Sequence, residues 1–142
     1  MQLTSVLTVA LSALTLTSAN PITPMARAGN PSLIWHASNF ETGCSPGGCT
    51  YHFNITGAAS ENTPGFSTSC SGTTTQEDYA LCNDKHVKAQ VIPELYPMWN
   101  VKVQHSWDAN QGQAMFFALG QANITSSMKN FTIPVTEQYG VA

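Results

Sequence analysis

The chain has 142 residues, of which only 9% are charged, and five Lys and Arg stand against eight Asp and Glu for a formal net charge of −3. Its length suits one domain of the usual ~50–200 residues once a leader is set aside. The cations Arg27, Lys85, Lys88, Lys102 and Lys129 are scattered, which speaks against a nucleic-acid partner, because phosphate binding relies on clustered cations that release counterions.

Residues 1–19, MQLTSVLTVALSALTLTSA, contain no charged side chain and an apolar run from about Val6 to Leu16. That run is too short to cross ~30 Å of hydrocarbon as a helix, and it ends in the small residues Thr17, Ser18 and Ala19 that signal peptidase accepts. Residues 1–19 are therefore expected to be a cleaved signal peptide, although no Lys or Arg precedes the apolar core. No second long apolar segment follows, so release outside the cell is expected, with no membrane anchoring. Residues 20–32, NPITPMARAGNPS, have three prolines and no hydrophobic periodicity, and they read as a flexible leader in which cleavage after Arg27 is the less favoured outcome. Residues 33–142 are left as a single domain.

From there on the pattern has a period of two, the signature of half-buried strands. Leu33 to Phe40 is a first, less regular candidate. Tyr51, Phe53 and Ile55 alternate with His52, Asn54 and Thr56. Gly65 to Ser71 leads into a cysteine, Tyr79 to Cys82 ends on one, and Val87 to Ile92 stops at Pro93. The clearest strand is Trp99 to Trp107, with Trp99, Val101, Val103, His105 and Trp107 on one face. Ala114 to Ala122 is apolar on both faces around Met115, Phe116 and Phe117, which suits a central strand. Phe131, Ile133 and Val135 form the last set, where Pro134 suggests an edge strand or a strand end. No window of eleven or more residues has helical spacing and caps. The expected fold is all-β: a small antiparallel β-barrel or sandwich of about eight strands, stapled by disulfides.

Cys44, Cys49, Cys70 and Cys82 form an even set in an exported domain, which implies two disulfides with three possible pairings. Nearest-neighbour pairing, 44–49 and 70–82, is favoured because Cys44-Ser-Pro-Gly-Gly-Cys49 turns tightly at its centre. A zinc site is disfavoured because ligand spacings such as C-x₂-C are missing, so no metal ligands are assigned. Three sequons, at Asn54, Asn123 and Asn130, are candidate N-glycan acceptors in a secreted chain.

His36, His52, His86 and His105 are not spaced as a local metal pair. His105 is expected to be buried and hydrogen-bonded, and His52 and His86 to lie at the surface. There is no G-x-S-x-G elbow and no phosphate-binding glycine loop, and oxidised cysteines offer no thiolate nucleophile. No catalytic residues and no cofactor are assigned. Trp99 and Trp107 fit the core by their alternation. Tyr96 and Trp99, close to Pro93 and Pro97, are the candidates for a partly exposed binding surface that would take a host protein or a small aromatic ligand.

Four segments, Trp35-His-Ala-Ser-Asn-Phe40, Tyr51-His-Phe-Asn-Ile55, Phe66-Ser-Thr-Ser-Cys70 and Tyr79-Ala-Leu-Cys82, together resemble the fungal secreted family of the major Alternaria allergen. That family includes hypersensitive-response elicitors of plant-pathogenic fungi. The likeness runs from about residue 33 to 135. It implies an extracellular antiparallel β-barrel without an established enzymatic mechanism, met by plant immunity or human antibodies, and it supports pairing Cys70 with Cys82. The family's other bridge lies nearer the C-terminus and its subunit-linking cysteine has no counterpart here, so a monomer or a weak non-covalent dimer is expected. The expected function is that of a secreted effector-, elicitor- or allergen-like protein acting by surface binding to a host target. A small hydrolase or ribonuclease-type toxin and a fungal cell-wall-associated structural protein are the alternatives.

Overall fold

The computed structural model describes residues 33–109 and 111–142. The proposed signal peptide, the leader and Arg27 lie outside these residues. The described chain is all-β and antiparallel, in eight strands: β1 Ile34–Ser45, β2 Gly48–Gly57, β3 Phe66–Thr73, β4 Ala80–Leu81, β5 Val87–Pro93, β6 Met98–Ala109, β7 Ala114–Thr125 and β8 Phe131–Val141. Their order in the sheet is β3-β2-β1-β8-β7-β6-β5-β4, and the two ends curl towards each other into a nearly closed barrel. Of the two expected architectures, the barrel is the one formed.

The period-two pattern becomes the two faces of the barrel wall. Tyr51, Phe53 and Ile55 of β2 point inward, as do Val87, Ala89 and Val91 of β5, Trp99, Val101 and Val103 of β6, and Phe131, Ile133 and Val135 of β8. Removing apolar area from water at ~25 cal/mol per Å² makes this interior the main stabilising contribution. The irregularity of the first strand has a local cause. A bulge between Ser38 and Glu41 places Asn39 at φ 54°, a left-handed conformation that Asn tolerates better than most residues. The extra residue shifts the phase, so Phe40 turns inward after Trp35 and Ala37.

β8 is a corner strand. Phe131–Pro134 pair with β1, whereas Val135–Val141 pair with β7. The expectation that Pro134 marks an edge strand or a strand end is therefore corrected, since β8 lies between two neighbours and runs on to Val141. The missing proline N–H is tolerated because the residue sits where the chain changes partner. Glycine is required opposite this corner, since a Cβ on Gly120 would stand 2.8 Å from the carbonyl oxygen of Pro134.

Both disulfides pair nearest neighbours, as expected. Cys44 and Cys49 face each other across the β1–β2 hairpin. Cys70–Cys82 stitches β3 to the chain just after β4, where the barrel lacks a strand ladder. Hydrogen bonds continue the seam: the Asn83 N–H donates to the Ser69 carbonyl at 3.0 Å, and the Asp84 N–H to Thr68 Oγ1 at 2.8 Å.

Candidate binding cleft at one end of the barrel

The β6–β7 hairpin and the end of β8 run on beyond the start of β1, where the first β1–β8 pair is Ile34 with Pro134. The inward faces of this extension form two cross-strand rows. In one row His105, Ala118 and Gln138 lie side by side; in the next, Trp107, Phe116 and Gly140 do. Ala118 and Gly140 are the small members of the two rows, and the Phe116 ring lies over Gly140. Trp107 and Phe116 lie nearly parallel, with centroids 5.9 Å apart and planes inclined by 20°.

The connection between β2 and β3 arches over this end. A short bridge from Ser60 to Thr63 holds its tip, and Asn62 and Thr63 come to face the extension. The open cleft between them has a volume of about 510 Å³, within the ~300–1,000 Å³ usual for small-molecule sites. Its wall is formed by Trp107, Phe116 and Gly140, with carboxamides from Asn62 and Gln138, and no charged side chain among the described residues lines it. Trp107 joins the cleft to an aromatic layer inside the barrel, where His105 packs on Trp107 at 5.2 Å and on Phe66 at 4.4 Å, and Trp35 lies edge-on to both Phe66 and His105.

His105 is buried, as expected, with 3% of its surface exposed, but its Nδ1 has no hydrogen-bond partner, which corrects the second half of that expectation. Burial lowers its pKa to about 4; the Asp84 carboxylate works against that shift and His86 adds to it. A second depression of about 230 Å³ shares Trp107 as a wall and brings His105 together with His86, Asp84 and Asp108. His86 is half-buried, held by its N–H donating to Asp84 Oδ1 at 2.9 Å and by its carbonyl accepting from the Ser106 N–H at 2.8 Å. His52 lies exposed on β2. No cluster of three or more His, Cys, Asp or Glu among the described residues is placed to hold a metal ion.

The two surface residues singled out from the sequence lie at the other end of the barrel. Tyr96, in the β5–β6 connection, is 90% exposed. Trp99 is only 8% exposed and belongs to the core, because the alternation of β6 carries it inward despite the nearby prolines. The cleft residues Phe116, Gln138 and Gly140 escaped the sequence reading. A register shift in β8 beside Gly120, after Val135, reverses which residues face inward, and no residue pattern announces it. A run apolar on both faces around Phe116 was the one available signal. Its cause is that β7 overshoots the barrel, leaving Met115 and Phe116 partly exposed.

Of the sequons, Asn54 lies on the outer face of β2 between Ser38 and Ser69. Asn123 and Asn130 are exposed at the end opposite the cleft; Asn123 Oδ1 accepts from Asn100 Nδ2 at 2.8 Å, and Asn130 Oδ1 accepts from the Asn39 N–H at 3.4 Å. None of the three lines the cleft.

No family model, curated protein or solved structure matches this chain. Its chemistry is accordingly read from the barrel itself. Two closed disulfides and no free cysteine among the described residues point to an oxidising, extracellular type of environment. No helix among the described residues is long and apolar enough to cross a membrane.

Proposed function

We propose that this chain is a secreted, effector- or elicitor-like binding protein of fungal type that engages its target through the aromatic end of the barrel, without catalysis. The observation that carries this reading is the uncharged aromatic cleft, whose wall residue Phe116 is partly exposed, on an extension whose other face carries the exposed apolar side chains Met115, Tyr139 and Val141. Apolar side chains grouped on a small barrel mark an interaction surface. The three sequons support the reading by their placement, since sugars there would coat the wall and the far end and leave the cleft open. The partner is a host protein or a small ligand. The extracellular site of action rests on the signal-like N-terminus and the two disulfides, and the fungal assignment rests on the resemblance of the four sequence segments. Infiltration of purified protein into leaves tests the proposal: defence induction or cell death that is lost in Phe116→Ala is the expected result. A response unchanged by that substitution, or no response together with no recovered host target, refutes it.

A second reading, a small secreted ribonuclease, draws on one specific arrangement: His86 and His105 open onto the same depression as Asp84 and Asp108. Two imidazoles and a carboxylate are the groups needed for general acid–base cleavage of RNA. RNA hydrolysis that disappears in His86→Ala would establish this reading in place of the first.

A further inference from the structure

We propose that the cleft binds an uncharged oligosaccharide, with a pyranose ring seated on Trp107 and Phe116 and its hydroxyls held by the carboxamides of Asn62 and Gln138. This inference rests on the reading of the cleft as the binding site and specifies its ligand. Three features select the class. The first is that, among the described residues, the lining carries no charge. An anionic or cationic ligand entering it would give up hydration without meeting a counter-charge, which is costly. The second is the aromatic platform. Trp107 and Phe116 are nearly parallel, stacked neighbours from adjacent strands, and together they form one aromatic wall against which a sugar ring can sit. A pyranose presents one face of C–H groups suited to such a surface, and burial of that face supplies the hydrophobic part of binding.

The third feature is the polar complement. Asn62 and Gln138 each present both an acceptor and a donor pair, and Thr63 brings a hydroxyl that does either. Vicinal sugar hydroxyls are likewise donor and acceptor at once, so each carboxamide can engage a neighbouring pair. A purely apolar planar ligand would cover these groups without offering them partners, leaving desolvated polar atoms unpaired. The geometry also provides a reporter. Trp35 and Trp99 are buried in the barrel, which leaves half-buried Trp107 as the tryptophan whose emission a cleft ligand changes.

The test is titration of the intact secreted protein with soluble oligosaccharides derived from laminarin, cellulose, xylan and chitin, followed by tryptophan emission. A pectin-derived oligogalacturonide serves as the anionic control, and a neutral planar phenol as the apolar one. Saturable binding of at least one neutral sugar is expected, weakened about tenfold or more in Gln138→Ala and in Phe116→Ala, with no response to the oligogalacturonide. Gln138→Ala removes only a half-buried carboxamide, so it keeps the test interpretable if Phe116→Ala unfolds. Sugar binding that is indifferent to both substitutions overturns the proposal, as does binding of the oligogalacturonide with equal affinity. If the folded protein binds no sugar while the phenol titrates the cleft, the ligand class fails and the cleft stands. If nothing binds and Phe116→Ala leaves the leaf response intact, the reading of the cleft as a binding site fails with it.

Discussion

Phe116 and Gly140 face each other across the β7–β8 ladder, with the ring so close over the glycine that a Cβ there would stand 2.7 Å from Phe116 Cε1. The contact positions the ring that forms one wall of the cleft. Gly140→Ala must push it aside. Because Phe116 is partly exposed, the ring has somewhere to go, and the overpacking cost is expected at the low end of the usual range, about 1 kcal/mol. Trp107, stacked on the displaced ring, should change its emission maximum, and binding in the cleft should weaken. Urea unfolding and fluorescence check both. An unaltered Trp107 spectrum in a folded Gly140→Ala protein would show that the ring does not depend on this contact.

Acid should destabilise the domain through His105. Its folded pKa is lowered to about 4 from 6.5, so the unfolded chain takes up the proton first as pH falls. The stability conferred by burying the neutral ring is complete above pH ~6.5, falls as the pH drops towards ~4, and is fully lost below that. A difference of this size between the two states corresponds to about 3 kcal/mol. Denaturant unfolding at neutral and acid pH measures the loss, and His105→Phe should flatten the slope in that window. A slope equal to that of the wild type would place the titration elsewhere.

The two disulfides should contribute unequally. Cys70–Cys82, with its sulfurs inside the barrel wall, closes a seam that has no strand ladder, and removing it by Cys70→Ser with Cys82→Ser should cost about 3 kcal/mol. Cys44–Cys49 clips an exposed hairpin end that is already paired residue by residue, so about 2 kcal/mol or less is expected. Melting temperatures of the two double variants should rank accordingly. Mild reductant should open the exposed bridge first, which thiol labelling followed by mass analysis would show.

The two faces of β2 should respond in opposite ways. Phe53→Ala empties a fully buried site and should cost about 3–5 kcal/mol. Asn54→Gln, next to it on the outer face, should change stability by less than about 0.5 kcal/mol. The Asn54 variant also tests the proposed glycosylation: an Asn54 that carries a glycan in the exported protein shows as the loss of one glycan mass in the variant. Equal destabilisation by the two substitutions would mean that the inward and outward faces of β2 are exchanged.

Most of the wall could be anticipated from residue order because alternation is a local property. A strand with one face in the core repeats every two residues, and Trp99 to Val103 or Tyr51 to Ile55 display that repeat without any knowledge of their partners. The same locality misled at Trp99, where flanking prolines suggested exposure although the alternation pointed inward. The nearest-neighbour cysteine pairing was legible for a related reason: a Pro-Gly turn between Cys44 and Cys49 leaves little room for other geometry.

What residue order determined by itself, then, was the repeat, the strand count and the Cys44–Cys49 bridge, all set by interactions within a few residues of each other. Closure into a barrel, the change of partner at Pro134, the phase shifts beside Asn39 and after Val135, and the meeting of Asn62 with Trp107, Phe116 and Gln138 were decided by tertiary structure. Each depends on which strand lies beside which and in what register. That choice is made by the packing of residues far apart in the chain, and a one-residue slip reverses every side chain beyond it.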